Sequence, residues 1–325
     1  MKKVTIIGGG TGTYVVTLGL KQHHFDVTKI VTVFDSGGSS ARLRDEFGFL
    51  PVGDLRQSLA ALAHENGHSW IRELLLYRFS KGKGLEGHNL GNLILTALQD
   101  MTGSTPKALE VATSIFRLKG NIYPVSTGIS NLEIHYEDGT SIVGEDHLDD
   151  MSLGGRRITK INLTDKCSLY SKAKEAIQDS DFIIIGPGDI YASILPNFIV
   201  SGTKAAFAAS SAKTIYIVNL MTRYTQTHGF TALDHVKVIE QYLGKPIDIV
   251  VVNNGAISPK ILTKYAASKE FPVIDDLEKQ SGKKIIRGDF SNSVPVKKQP
   301  GDKIPRSLMR HDQAKLTQAL LDIIK

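Results

Sequence analysis

Five short runs of aliphatic and β-branched residues constrain this chain more than any other feature: Val4–Ile7, Ile30–Phe34, Phe182–Ile185, Ile215–Val218 and Ile249–Val252. They are largely apolar on both faces. A strand with one wet face alternates apolar and polar residues, so uniform runs predict strands buried between two helical layers. Helical patterns separate most of them. Asp54–Leu55–Arg56–Gln57 reads as an Asp variant of a capping box, opening a helix with Leu55, Leu59 and Leu62 on one face. Thr231 begins a helix that carries Val236, Ile239 and Leu243 inward and ends at Gly244. Ser258–Pro259 is a cap with proline at the first helical position, and Asp312 caps a last helix bearing Leu316, Leu320 and Ile323. This alternation predicts an α/β, Rossmann-like, doubly wound fold with a mostly parallel sheet.

Two stretches break the alternation. Residues 41–116 are mostly helical in pattern, without a clear strand, and form a helical excursion. Residues 117–165 read as a small antiparallel β lobe, in which Asn131–Tyr136 and Thr140–Gly144 flank a hairpin turn at Asp138–Gly139. Both are additions within one domain spanning residues 1–325.

The loops at the ends of the strands point to function. The five runs lead into Gly8–Gly9–Gly10–Thr11–Gly12, Asp35–Ser36–Gly37–Gly38–Ser39–Ser40, Gly186–Pro187–Gly188–Asp189, Asn219–Leu220–Met221–Thr222 and Asn253–Asn254–Gly255. In a parallel sheet these carboxyl ends share one edge, where ligands bind at a topological switch point. Turns need glycine anyway, but five small, polar loops on one edge predict a ligand site. The first loop is the candidate phosphate cradle, since glycine lets backbone N–H groups approach phosphate oxygens. Thr13 leaves G-x-G-x-x-G incomplete, and no Gly-Lys-Ser/Thr comes after it to make a Walker A loop. On this reading Gly12→Val lowers ligand binding while the fold survives.

Asp35 lies about 23 residues beyond Gly12, where a ribose-binding acid sits in dinucleotide folds. It is read as a hydroxyl acceptor or a Mg²⁺ ligand, against the alternative of an aspartate organising its own turn. Arg42 and Arg44 could meet phosphate bidentately or be ordinary solvated arginines. Gly87–His88–Asn89–Leu90–Gly91–Asn92 precedes a helix, and its three polar residues exceed what one cap requires. Arg310 stands beside the Asp312 cap as a candidate phosphate clamp.

Composition narrows the class. The single cysteine, Cys167, excludes a disulfide framework and suits a reducing cytosol. No apolar run has the length of a signal peptide or membrane span. The net charge of +6 is compatible with an anionic ligand, but the lysines and arginines are dispersed, which argues against nucleic acid. Ten scattered histidines form no metal-ligand spacing. No nucleophile–base–acid set is apparent, and with the broken glycine motif this lowers an NAD(P) oxidoreductase.

The segments IIGGGTGT, VTVFDSGGSSARLR, VGDLRQSLAAL, GHNLGN, IIIGPGDIYASILPN, VNLMT, DHV, VVNNG and RHD, in order from Ile6 to Asp312, resemble the YvcK-like gluconeogenesis factors, a branch of the CofD-like superfamily. The resemblance implies a cytoplasmic bacterial regulator of cell shape during growth on gluconeogenic carbon sources. It also implies a UDP-sugar ligand such as UDP-N-acetylglucosamine, with NAD a second candidate for the same site and Mg²⁺ a companion ion at Asp35. Carried onto this chain, the binding set is Gly8, Gly9, Gly10, Thr11, Gly12, Thr13, Asp35, Gly37, Gly38, Ser39, Ser40, Arg44, Asp54, His88, Asn89, Asn92, Gly186, Pro187, Gly188, Asn219, Met221, Thr222 and Arg310. A protein partner would receive the signal, and self-association stays open. The alternative is a CofD-type Mg²⁺-dependent transferase that moves a phospholactyl group from a nucleotide diphosphate donor. The chain departs from the gluconeogenesis factors at Ser36, where a second acid is usual, at Ala41 for glycine, at Gln57 for asparagine and at Asp189 for serine. It departs again over residues 223–230, where two acids are missing.

Overall fold

Seven parallel strands form the main sheet in the computed structural model, which describes residues 1–63, 70–277, 282–292 and 309–325. The chain opens with β1 (Lys2–Ile7), α1 (Tyr14–Leu20) and β2 (Phe25–Val31). Five helices come next: α2 (Gly38–Phe47), α3 (Gly53–Leu62), α4 (Trp70–Leu76), α5 (Leu90–Thr102) and α6 (Thr105–Ile115). Strand β3 (Asn121–Pro124) leads to a small sheet of β4 (Leu132–Tyr136), β5 (Ser141–Val143) and β6 (Ile158–Leu163). The chain returns through α7 (Ser171–Asp179), β7 (Phe182–Ile185), α8 (Thr203–Ala208), β8 (Lys213–Ile217) and α9 (Ala232–Leu243). It closes with β9 (Ile249–Asn253), α10 (Pro259–Ala266), β10 (Lys284–Gly288) and α11 (Gln313–Ile324).

The strand order is β10-β9-β8-β7-β1-β2-β3. The chain moves outward from β1 through β2 to β3, then returns and grows from β7 the other way. The order therefore reverses between β1 and β7, whose register sets Val4 opposite Phe182 and Ile7 opposite Ile185. The Rossmann-like expectation holds, and the reversal marks the switch point of the sheet. Helices α1, α3 and α11 pack together over one face, and α7, α8 and α9 succeed one another over the other. Burial on both faces explains the uniform composition of the strands, with Ile183, Ile184 and Ile185 wholly enclosed.

Several expectations change in detail. The second strand spans Phe25–Val31, not Ile30–Phe34; Thr32–Phe34 run on, buried, past the last pairing. Asn121–Pro124 pairs in parallel with β2, so the antiparallel lobe begins only at β4. This four-residue edge strand ends in proline, which its edge position tolerates, and is too short to show a period. Asp54 does not cap α3. Val52 holds the cap position without a side-chain bond, and Asp54 sits in the first turn. The caps at Thr231, Ser258 and Asp312 form as expected, each accepting a backbone N–H from its helix. The Asp138–Gly139 hairpin also forms, with Gly139 at φ 83°. No helix of the described residues is long and apolar enough to cross a membrane.

Candidate functional site

A cleft of about 1220 Å³ opens over the carboxyl edge of the sheet at the reversal. Four of the five strand-end loops build it, and each is tied to a neighbour. Asn219 accepts the Gly188 N–H at 3.1 Å and returns a bond to the Gly188 carbonyl at 2.9 Å, joining the loops after β7 and β8. Thr222 accepts the Phe271 N–H at 3.0 Å, holding the segment beyond α10 against the cleft. Asp35 accepts the Gly37 N–H at 2.8 Å, so its turn-organising role is present while it also faces the cleft. Ser36 donates to Asp146 at 2.6 Å and accepts the Asp146 N–H at 3.1 Å. The Ser36 hydroxyl thereby docks the β lobe onto the loop after β2.

The glycines of the first loop are required by the protein's own packing. A Cβ on Gly12 would lie 2.1 Å from the Pro187 carbonyl oxygen, and one on Gly10 would lie 2.3 Å from the Gln57 Cβ. One on Gly9 would meet Ser193 and Asp54. The expectation that Gly12→Val spares the fold is therefore corrected, because backbone, not open space, closes on that position.

Of the expected site residues, Thr11, Gly12, Asp35, Gly37, Asp54, Pro187, Gly188, Asn219, Met221, Thr222 and Arg310 line the cleft. Gly8, Gly9, Gly10, Thr13 and Gly186 belong to the same loops but are not part of its lining. Gly38, Ser39 and Ser40 form the first turn of α2; their side chains, and that of Arg42, lie outside what the structure describes. Arg44 turns away to the lobe, donating to Asn131 at 3.1 Å. Asn89 is buried as the cap of α5, accepting the Gly91 and Asn92 N–H groups. Asn92 accepts from Arg56 at 2.7 Å, so it serves the cleft by holding an arginine that lines it. The His88 carbonyl accepts the Phe79 N–H at 2.9 Å, and His88 itself is not part of the lining.

Residues outside the expected set complete the electrostatics. Glu145 and Asp149, from a 3₁₀ turn after β5, reach the cleft together with Asp189 and Glu270. Burial, with the Asp35 charge next, pushes the Glu145 carboxyl well above the usual range. Burial likewise raises Asp149 and Glu270, against the pull of Arg223. Arg223 binds Asp149 at 2.7 Å and lies 3.6 Å from both Asp189 and Glu270. Asp189 foremost raises the guanidinium pKa, fixing its charge. Asp189 and Arg223 thus pair with each other across the cleft lining. Arg56, Arg78 and Arg310 also line the cleft. Beside Arg310, His311 is held neutral: burial pushes its pKa down to about 4, and it is hydrogen-bonded to the Val218 backbone.

Beneath the cleft, Lys29 sits mid-strand between Ile6 and Ile122. It is wholly buried, and its Nζ has no hydrogen-bond partner among the described residues. Burial pushes its pKa down to about 7, opposed by the nearby Asp54 charge. Asp54 is itself raised by burial, and a hydrogen bond with the Gly10 backbone opposes the shift. Among the described residues no three carboxylate, imidazole or thiol groups converge to hold a metal ion. A Mg²⁺ at Asp35 would draw its remaining ligands from phosphate oxygens and water, as Mg²⁺ commonly does.

Together these features define a Rossmann-type α/β protein with a cleft at its switch point. The profile of the family described as 2-phospho-L-lactate transferase CofD matches residues 4–291. The gluconeogenesis factor of Bacillus subtilis (strain 168) is 37% identical over 99% of this chain and 98% of its own. That of Halalkalibacterium halodurans is 36% identical over 99% and 96%. A crystal structure of a Bacillus halodurans protein superposes with a TM-score of 0.88 at 36% identity, covering 98% of this chain and 99% of that one. The chain belongs to the CofD family, in its gluconeogenesis-factor branch.

Proposed function

We propose that the cleft binds a UDP-sugar or a related phosphate-bearing nucleotide, and that the protein is a regulator reporting this ligand to a partner protein. Its role would be that of the resemblance, in cell morphogenesis on gluconeogenic carbon sources. The observation that carries the reading is the convergence of the Thr11–Gly12 loop, the Gly188 loop, Asp35 and Arg310 on one cleft at the strand-order reversal. Ligands of open α/β sheets bind at such a reversal. At about 1220 Å³ the cleft exceeds the ~300–1,000 Å³ common for drug-sized ligands, leaving room for a nucleotide and its sugar.

Arg310 is the residue to test. Asp312 caps α11 through the Lys315 N–H, and the Arg310 carbonyl accepts the Asn292 N–H at 3.1 Å, so its backbone is fixed at the cleft. Calorimetric titration of UDP-N-acetylglucosamine should show Arg310→Ala binding at least ~10-fold more weakly, a loss of about 1.4 kcal/mol. Arg310→Lys, which keeps the charge without the planar fork, should recover only part of that. Equal affinities for all three proteins would remove Arg310 from the site.

A further inference from the structure

We propose that the hairpin of residues 77–90 is a lid on this cleft, and that Lys81 and Lys83 at its tip close onto the phosphate groups of the bound ligand. The proposal rests on the nucleotide reading and deepens it by naming the cations that would complete the anion site.

The hairpin has a stitched stem and an exposed tip. Leu90 N–H bonds the Tyr77 carbonyl, Phe79 N–H the His88 carbonyl and Gly87 N–H the Phe79 carbonyl, each at 2.9 Å. The Arg78 guanidinium adds a bond to the Gly87 carbonyl at 2.8 Å. Beyond this stem, the Gly82 carbonyl accepts the Leu85 and Glu86 N–H groups, both at 3.0 Å, so the tip is closed on itself. Residues 80–86 are all exposed. Gly82, Gly84 and Gly87 stand at φ 102°, 89° and 82°, in the region glycine adopts without strain. Two of these glycines, Gly82 and Gly84, stand at the tip itself, where a change of direction costs little.

The tip is also placed and charged for the task. Arg78, Phe79, Ser80, Glu86 and Gly87 line the cleft on either side of it. Lys81 and Lys83 therefore leave the hairpin at the cleft rim. No hydrogen bond or ion pair engages either lysine among the described residues. The same cleft is lined by the acidic group of Asp35, Glu145 and Asp149. A phosphate ligand entering beside those carboxylates needs compensating positive charge, and two exposed lysines on a glycine-hinged tip supply it on closure.

The test uses UDP and uridine with the full-length wild-type protein and the Lys81→Ala/Lys83→Ala double variant. UDP should bind the variant about 10-fold more weakly and with a shallower salt dependence, while uridine, lacking phosphate, binds both proteins alike. In the wild type, saturation with UDP should slow amide hydrogen exchange over residues 80–87. UDP binding that is equal in both proteins, with exchange at the tip unchanged, overturns the lid alone. Failure of UDP to bind the wild type overturns the nucleotide reading and the lid with it.

Discussion

Replacing Lys29 with methionine should stabilise this protein at neutral pH and flatten its pH dependence. Lys29 is wholly buried in the sheet, without a hydrogen-bond partner among the described residues, and burial pushes its pKa from 10.5 to about 7. Holding such a lysine charged costs on the order of 5 kcal/mol relative to the unfolded chain. Proton counting gives the sign. Between pH 7 and 10.5 the unfolded chain holds this proton and the native chain does not, so stability rises with pH. Across pH 7 to 9 the gain is roughly 2 kcal/mol. Asp54, raised by burial, has the opposite sign: its contribution falls as pH climbs above the ordinary carboxylate range. Lys29→Met keeps the length of the side chain and removes the charge. Urea unfolding at pH 7, 8 and 9 should place the variant roughly 2–4 kcal/mol above wild type at pH 7, with the gap narrowing by pH 9. A variant less stable than wild type, with an unchanged pH slope, would refute the argument; it would mean that Lys29 stays charged and is held by Asp54 as a buried pair.

Gly12→Ala should lower the urea midpoint by an amount equivalent to roughly 1–3 kcal/mol, because the new Cβ meets the Pro187 carbonyl oxygen rather than a flexible side chain. An unchanged midpoint would show that the loop after β7 yields freely. Asp35→Asn keeps an oxygen to accept the Gly37 N–H but removes the charge. Titrations of UDP-N-acetylglucosamine with and without Mg²⁺ should then show weaker binding, insensitive to Mg²⁺ if Asp35 holds the ion and still sensitive if it holds ribose. Wild-type affinity in both conditions would leave Asp35 its turn alone.

Four of the five predicted strands were legible in place, whereas the interior β2 (Phe25–Val31) was read five residues late because Asp26 and Lys29 interrupt its apolar run. Phe182–Ile185 is a strand over those same residues, and β1, β8 and β9 lie within two residues of their predicted limits at either end. Edge strands were not legible. Lys284–Gly288 carries charge and glycine, and Asn121–Pro124 is too short for a period, so each forms through pairing with a neighbour. The carboxyl edge could be read from the loops because residue type at strand ends is local information. Glu145, Asp149, Arg223 and Glu270 could not, since only the packing of the β lobe and of the segments after β8 and β9 brings them to the cleft. The glycines of the first loop were found for one reason and serve another: the sequence marks where backbones approach, and the structure shows Asp54, Gln57 and Pro187 in that space.

On the proposed function, the cleft selects a nucleotide by its phosphates and its sugar. Thermal unfolding of the wild-type protein with UDP-N-acetylglucosamine, uridine, NAD and inorganic phosphate tests it most directly, since a ligand of the native state raises the midpoint by mass action. A nucleotide-sugar site gives a rise with UDP-N-acetylglucosamine that grows with its concentration, a smaller one with phosphate or NAD, and the smallest with uridine. No rise with the UDP-sugar, or an equal or larger one with NAD, would contradict it.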